Sequence, residues 1–188
     1  MTITPSDEGT GWKPSPHAPE IVSAGSSFAE AVYTHSCLSL REFEAARMRT
    51  AQLNGCMICQ DFRAARDALA LYSVPGETPT RSVTYNGPAP DEAFFAAIVD
   101  WTNSPLFSVR ERLAIEFAER FALEPKVLSA DEAFWARMNA QYSEAEVVDL
   151  AHCVAAWMGL GRVAHVLGWD RVCAAPPMRG EPLPAAAE

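Results

Sequence analysis

Five times in this chain a serine is followed three residues later by a glutamate: Ser27/Glu30, Ser39/Glu42, Ser108/Glu111, Ser129/Glu132 and Ser143/Glu146. Such a pair can cap a helix start reciprocally, the serine oxygen accepting a first-turn amide while the glutamate accepts the serine's own amide. Downstream of the caps, apolar residues recur at helical spacing, as in Val109, Leu113, Phe117 and Phe121, or Val147, Leu150, Ala151, Val154 and Met158. Pro125 stops the first of these helices, Asp91 opens a shorter one with DEAFFAAIVDW, and Ile58, Phe62, Ala65, Leu69 and Tyr72 mark another. Nothing alternates convincingly with period two; the nearest stretch, RSVTY at 81–85, lies in a loop punctuated by Pro75, Gly76, Pro79, Gly87 and Pro88. The expectation is an all-α bundle of about seven helices, with a CxxC at the start of a central helix.

With 188 residues, 49% of them apolar, the chain can bury one substantial core. Residues 1–24 and 174–188, rich in Pro, Ser, Gly or Ala, read as loose arms around a single helical domain at 25–173. Fifteen Lys and Arg against 24 Asp and Glu give a formal net charge of −9, which disfavours nucleic acid and anionic membranes as partners. The start of the chain carries no apolar or basic leader, and no run approaches the ~18 consecutive apolar residues of a membrane span. Five cysteines without a leader fit a reducing, cytoplasmic setting, in which a close cysteine pair is more often catalytic or metal-binding than structural. Some helices are apolar on more than one face, including Phe94, Phe95, Ile98, Val99 and Trp101, and Val154, Trp157, Met158 and Leu160; that predicts self-association. The absence of a Gly-rich phosphate loop, a GxSxG elbow and an HExxH motif argues against nucleotide binding, serine hydrolysis and metalloprotease chemistry, and no cofactor is called for.

The chemistry concentrates in NGCMICQDFR at 54–63. Asn54-Gly55 can take the left-handed turn that ends one helix, so that Cys56 starts the next. Amides of a first helical turn favour thiolate over thiol, and Cys56 and Cys59, about a turn apart, can cycle between dithiol and disulfide. If the two helices fold back as a hairpin, Glu44 approaches the pair; neighbours Met48 and Ala51 are apolar enough to raise its pKa and make it a base, while Glu42 serves the cap with Ser39. Arg63, four residues after Cys59, comes round on the same helical face and can stabilise a Cys59 thiolate without shuttling protons. The plainer alternatives are a zinc half-site completed by His35 and Cys37, an exposed Glu44 paired with Arg41 or Arg47, and an Arg63–Asp67 surface pair. Cys37, Cys153 and Cys173 read as core or tail residues.

Glu44, eleven residues, Cys56-Met57-Ile58-Cys59, three residues and then position 63 resembles the signature of the carboxymuconolactone decarboxylase-like superfamily, specifically its alkylhydroperoxidase D branch. The segment from SVRERLAIEFAERF to VAHVLG is similar to that family's tail, so the resemblance covers about residues 27–169. It implies an all-helical fold assembling as trimers or hexamers, and a thiol peroxidase or thiol-disulfide oxidoreductase that takes a hydroperoxide and a thiol or dithiol reductant. By position, Cys59 is then the peroxide-attacking thiolate, Cys56 the resolving and more exposed partner, and Glu44 part of a proton relay. The relay histidine of the family falls on Arg63, which leaves the dithiol but removes that imidazole; His35, His152 and His165 are open as replacements from elsewhere in the chain. A fold that keeps its architecture as a binding or assembly module is the alternative, and lactone decarboxylation, which does not use a CxxC, is a more distant one.

Overall fold

Serine and aspartate caps divide the chain into helices, and in the computed structural model, which describes residues 17–72 and 79–171, every α, π or 3-10 element is helical. In order they are α1 (Pro19–His35), α2 (Leu40–Asn54), α3 (Met57–Asp61), a π-helical turn (Ala64–Ala68) running into α4 (Leu69–Tyr72), a 3-10 turn (Val83–Tyr85), α5 (Glu92–Ala97) continued by a 3-10 turn (Ile98–Asp100), α6 (Val109–Leu123), α7 (Pro125–Ala130), α8 (Glu132–Asn139), α9 (Glu144–Val166) and a closing 3-10 turn (Trp169–Arg171). The described residues thus hold nine α-helices rather than about seven, the surplus being short pieces such as α3, α4 and α7.

Three of the five Ser-x-x-Glu pairs form complete capping boxes, at the starts of α2, α6 and α9. Ser27 instead lies inside α1, which starts upstream with Pro19 in its first turn, so the stretch to Ala24 read as a loose arm is helical from Pro19 on. Ser129 lies inside α7, and α8 is capped by Asp131, whose side chain accepts the Phe134 amide. Of the two expected arms, residues 1–16 and all of 174–188 lie outside the described residues, as do 172 and 173 of the expected domain.

Helix α2 is the centre of the bundle, packed chiefly on α6 and α9, and eleven of its fifteen residues are buried, so it has no solvent face. Phe43 and Ala46 face a large core with Leu113, Phe117, Phe134, Leu150 and Val154. Ala45 and Met48 face a smaller one with Phe94, Phe95, Ile98, Phe107 and Ile115. Helix α9 is long and apolar enough, by length and composition, to cross a membrane. Here it packs against α1 and α2 and buries Leu150, Cys153, Val154, Ala156, Met158, Gly161 and Ala164, while Val148, Val163 and Val166 stay exposed.

The capping glutamates do a second job, because arginines from neighbouring helices join them. Arg110 donates to Glu42 at 2.5 Å and to Glu146 at 2.6 Å, its guanidinium stacked 4.0 Å from the Tyr142 ring, and Arg41 donates to Glu111 at 2.6 Å. The starts of α2, α6 and α9 are thereby tied together at one end of the bundle. The Ser143 amide, and Arg110 after it, hold the Glu146 carboxyl below the usual carboxylate range. A lowered folded value contributes stability that is present above the unfolded carboxylate pKa of about 4.3 and is lost as pH falls through the folded value. Arg110→Ala is therefore predicted to destabilise the fold by about 2 kcal/mol in chemical denaturation at pH 7, with the difference from wild type shrinking below about pH 4.

Candidate active site

Helix α2 ends on Gly55, whose φ of 68° lies in the left-handed region and whose amide caps the carbonyls of Ala51 and Gln52. The chain reverses there and Cys56 becomes the N-cap of α3, its Sγ accepting the Cys59 amide at 3.3 Å. Cys56 and Cys59 are joined as a disulfide, with Cα atoms 5.3 Å apart. Their exposures are unequal: Cys56 is 0% exposed, while Cys59 is partly exposed. The family resemblance implied the opposite order, with Cys56 the more accessible sulfur. Burial follows from position, because Cys56 sits in the elbow between α2 and α3, whereas Cys59 is a turn further on.

The helix expected from Ile58 through Tyr72 breaks after one turn, with Phe62 and Arg63 in extended conformation. Arg47 supplies the reason. From α2 its Nη1 donates to the Cys59 carbonyl at 2.5 Å and its Nη2 to the Phe62 carbonyl at 2.6 Å. The amides freed by the break are also used: Ala64 donates to Glu44 Oε1 at 2.5 Å and Arg63 to Asp67 Oδ2 at 2.8 Å. Side chains thus replace the backbone bonds that a continuous helix would have made.

Glu44 is accordingly neither an exposed charge nor a carboxyl among apolar neighbours. It is 1% exposed and Arg47 is 2% exposed; Arg47 Nε donates to Glu44 Oε2 at 2.5 Å, so both carboxylate oxygens are engaged. Burial works against the Arg47 charge, but Glu44 beside it more than offsets this and holds its pKa above the ordinary arginine value. Arg63 does not come round on the Cys59 face, since that required a helix through position 63. Its guanidinium makes a fork with Glu92 at 2.8 and 2.9 Å, donates to the Gln60 carbonyl and lies 4.0 Å from the Phe95 ring centre. The contact lowers the Glu92 pKa. With Asp67, the other expected partner, Arg63 engages only through its backbone amide. Glu44 and Arg63 do line one cleft of about 210 Å³, with Arg66, Glu92 and Phe95 among its other walls, and the cysteines are not part of that lining.

The other side of the pair is formed by the C-terminal half of α9. A Cβ placed on Gly161 would lie 3.7 Å from Cys59 Sγ and 2.7 Å from Asn54 Nδ2, and one placed on Gly55 would lie 3.3 Å from His165 Nε2. His165 Nδ1 pairs at 2.8 Å with Asp170, a buried carboxylate that also accepts the Met57 amide at 3.1 Å. Since α3 is a single turn, the expected dipole reduces to individual amides: that of Cys59 on Cys56 Sγ, and that of Met57 on Asp170. His35 Nδ1 bonds Thr34 and His152 Nδ1 bonds the Val148 carbonyl.

Cys37 is exposed and Cys153 buried, so only the latter is a core residue, and Cys173 lies outside the described residues. Asp149 accepts the Cys37 amide at 2.6 Å and the Cys153 thiol at 3.3 Å. Partial burial, then Asp149, pushes the Cys37 thiol up to about 11, the reverse of what a reactive thiol needs. Among the described residues no group of three His, Cys, Asp or Glu is arranged to hold a metal ion, and Cys37 is engaged with Asp149 rather than with the CxxC.

No protein-family model matches the chain. It is 39% identical over 54 residues to the uncharacterized protein YnjA of Escherichia coli, a match spanning 29% of either chain. It is 26% identical over 125 residues to the uncharacterized protein YdfG of Bacillus subtilis, spanning 66% of this chain and 72% of that one. Among solved structures it is similar, at a TM-score of 0.58 and 18% identity, to a protein of unknown function from Agrobacterium tumefaciens described as a candidate AhpD-type antioxidant defence protein, over 88% of this chain and 94% of that one. The chain therefore has an AhpD-like all-helical fold, with a CxxC pair at the junction of two of its helices.

Proposed function

We propose that the chain is a thiol-disulfide oxidoreductase of the alkylhydroperoxidase type, which reduces a hydroperoxide or a partner's disulfide through Cys56 and Cys59. The observation that carries this reading is the unequal burial of two sulfurs close enough to bond. Only Cys59 is open to a reagent. As a thiolate it attacks one peroxide oxygen, the O–O bond breaks, and Cys59 becomes a sulfenic acid while the alkoxide leaves and takes up a proton. Cys56 then attacks Cys59 Sγ, the S–O bond breaks, water departs and the disulfide forms. Two thiols and one hydroperoxide give one disulfide, one alcohol and one water. An external thiol attacks Cys59 and expels Cys56 as thiolate, which the Cys59 amide is placed to stabilise, and a second thiol then displaces Cys59 from the mixed disulfide, so that two thiols leave as a disulfide and the pair is restored.

Glu44 acts in this scheme as a positioning residue, through Arg47 and its grip on the Cys59 carbonyl. Arg63 fixes the far end of the α3 turn to α5 through Glu92. The likeness to a protein described as an antioxidant defence protein supports the redox reading. Exposed apolar residues at Val99, Leu106, Val109, Val163 and Val166 support association of copies, whose number as trimers or hexamers rests on the family resemblance alone, and a reducing cytoplasm would supply the thiol reductant.

Reduced protein mixed with hydroperoxide is predicted to lose two thiols in the wild type, to stop at a trappable sulfenic acid in Cys56→Ser, and to react far more slowly in Cys59→Ser. Equal thiol loss in all three would instead favour a binding or assembly module. Glu44→Gln leaves the Arg47 charge buried without its carboxylate, so its main effect should be on the fold, a loss of about 3 kcal/mol by denaturant titration. A selective loss of turnover with unchanged stability would make Glu44 a proton carrier instead. Sedimentation at micromolar concentration should report an oligomer, and monomer alone would reject the assembly.

A further inference from the structure

We propose that His165, oriented by Asp170, is the proton-transfer group of the cysteine pair, taking from α9 the place that the family pattern puts at position 63. The proposal rests on the dithiol reading above and adds to it the group that moves the protons.

Geometry carries it. On α9, Gly161 lies against Cys59 Sγ, and His165 follows four residues later on the same face, about 6 Å along the axis at 1.5 Å per residue. Helical side chains lean toward the N-terminus of their helix, and for His165 that is the direction in which Gly161 and Cys59 lie. Its Nε2 faces Gly55, the residue before Cys56. Asp170 engages Nδ1 at 2.8 Å, so in the neutral ring Nδ1 is the N–H donated to that carboxylate and Nε2 is the acceptor. Asp170 also accepts the Met57 amide, which ties the His–Asp pair to the CxxC turn itself. The His165 side chain is 37% exposed, so the ring can exchange protons with solvent. Asp170 from the closing 3-10 turn and Gly55 from the α2–α3 elbow lie against the ring, and Arg162 on its own helix is exposed.

The proton balance is simple. Nε2 takes the Cys59 thiol proton, directly or through one water, leaving thiolate and imidazolium. When the O–O bond breaks, Nε2–H returns that proton to the alkoxide, which leaves as alcohol, and the ring is neutral again. The Cys56 thiol proton goes to the departing hydroxide as the disulfide forms.

The test is iodoacetamide alkylation of Cys59 in the fully reduced protein as a function of pH, run beside hydroperoxide consumption, for wild type, His165→Gln and Asp170→Asn. The wild-type alkylation profile should carry a pH-dependent step that requires His165. His165→Gln should abolish it, slow peroxide-driven thiol loss roughly a hundredfold near pH 7, recover in part with added imidazole, and still form the Cys56–Cys59 disulfide with diamide, which shows a folded site. Asp170→Asn, which removes the carboxylate that orients the ring, should weaken that step. An alkylation profile unchanged in His165→Gln overturns the inference even if peroxide is consumed. A profile that changes while wild type consumes no peroxide upholds the coupling of His165 to Cys59 and overturns the peroxidase reading instead.

Discussion

The buried pair of Glu44 and Arg47 holds the CxxC turn in shape. Removing two charges from water is costly, and an ion pair alone seldom recovers that cost in a protein interior. Here the remaining valences are also filled: Arg47 reaches the carbonyls of Cys59 and Phe62, and Glu44 accepts the Ala64 amide. The pair therefore acts as a stand-in for backbone, satisfying groups that a helix from Met57 to Tyr72 would have satisfied internally. Its effect is to end α3 after one turn and let the chain turn away at Phe62, which keeps Cys59 near a helix end and not in the middle of a long rod.

The two sides of the CxxC differ in the kind of group they bring to it. On one side, Glu44, Arg47, Arg63 and Glu92 form closed pairs whose donors and acceptors bind each other or the backbone of the turn. On the other, α9 brings a glycine against one sulfur and a half-exposed imidazole against the turn. A group already locked into two short hydrogen bonds is a poor proton carrier, because releasing either one leaves a buried charge unpaired. A ring with one nitrogen fixed and the other facing the reacting turn has no such penalty. The two cysteines are also unequally buried, Cys56 fully and Cys59 in part.

Much of this was legible in the residues. Capping boxes at Ser39, Ser108 and Ser143 mark true helix starts, and Asn54-Gly55 marks the true end of α2, because these signals act within a turn of themselves. Ser27 and Ser129 carry the same spacing and cap nothing, as a proline and an aspartate nearby set the helix starts elsewhere. The break at Phe62 left no local mark: its cause arrives from Arg47, on another helix, and apolar spacing from Ile58 to Tyr72 looks the same with or without it. The spacing of Glu44 and Arg47 allows an i, i+3 pair, but its burial, with eleven of the fifteen α2 residues, is a property of the packed bundle. Arg63 was misplaced for the same reason, its face having been counted along a helix that stops before it. His165 is one of several histidines to the eye, and only the crossing of α9 over the α2–α3 elbow singles it out.

That crossing depends on two glycines with different duties. Gly55 is needed for its backbone, since a φ of 68° strains other residues, and the turn it makes is what points Cys56 inward. Gly161 has ordinary helical geometry and is needed for space: a Cβ there would press to 2.7 Å on Asn54 Nδ2, which donates at 2.9 Å to the Trp157 carbonyl and so fastens the end of α2 to α9. Widening this contact would move α9 away from Cys59 and carry His165 with it, while leaving the Glu44–Arg47 pair untouched. The shape of the turn and the placing of His165 beside it are thus set by different contacts, so a homologous fold could keep its disulfide geometry and yet lose, or relocate, that imidazole.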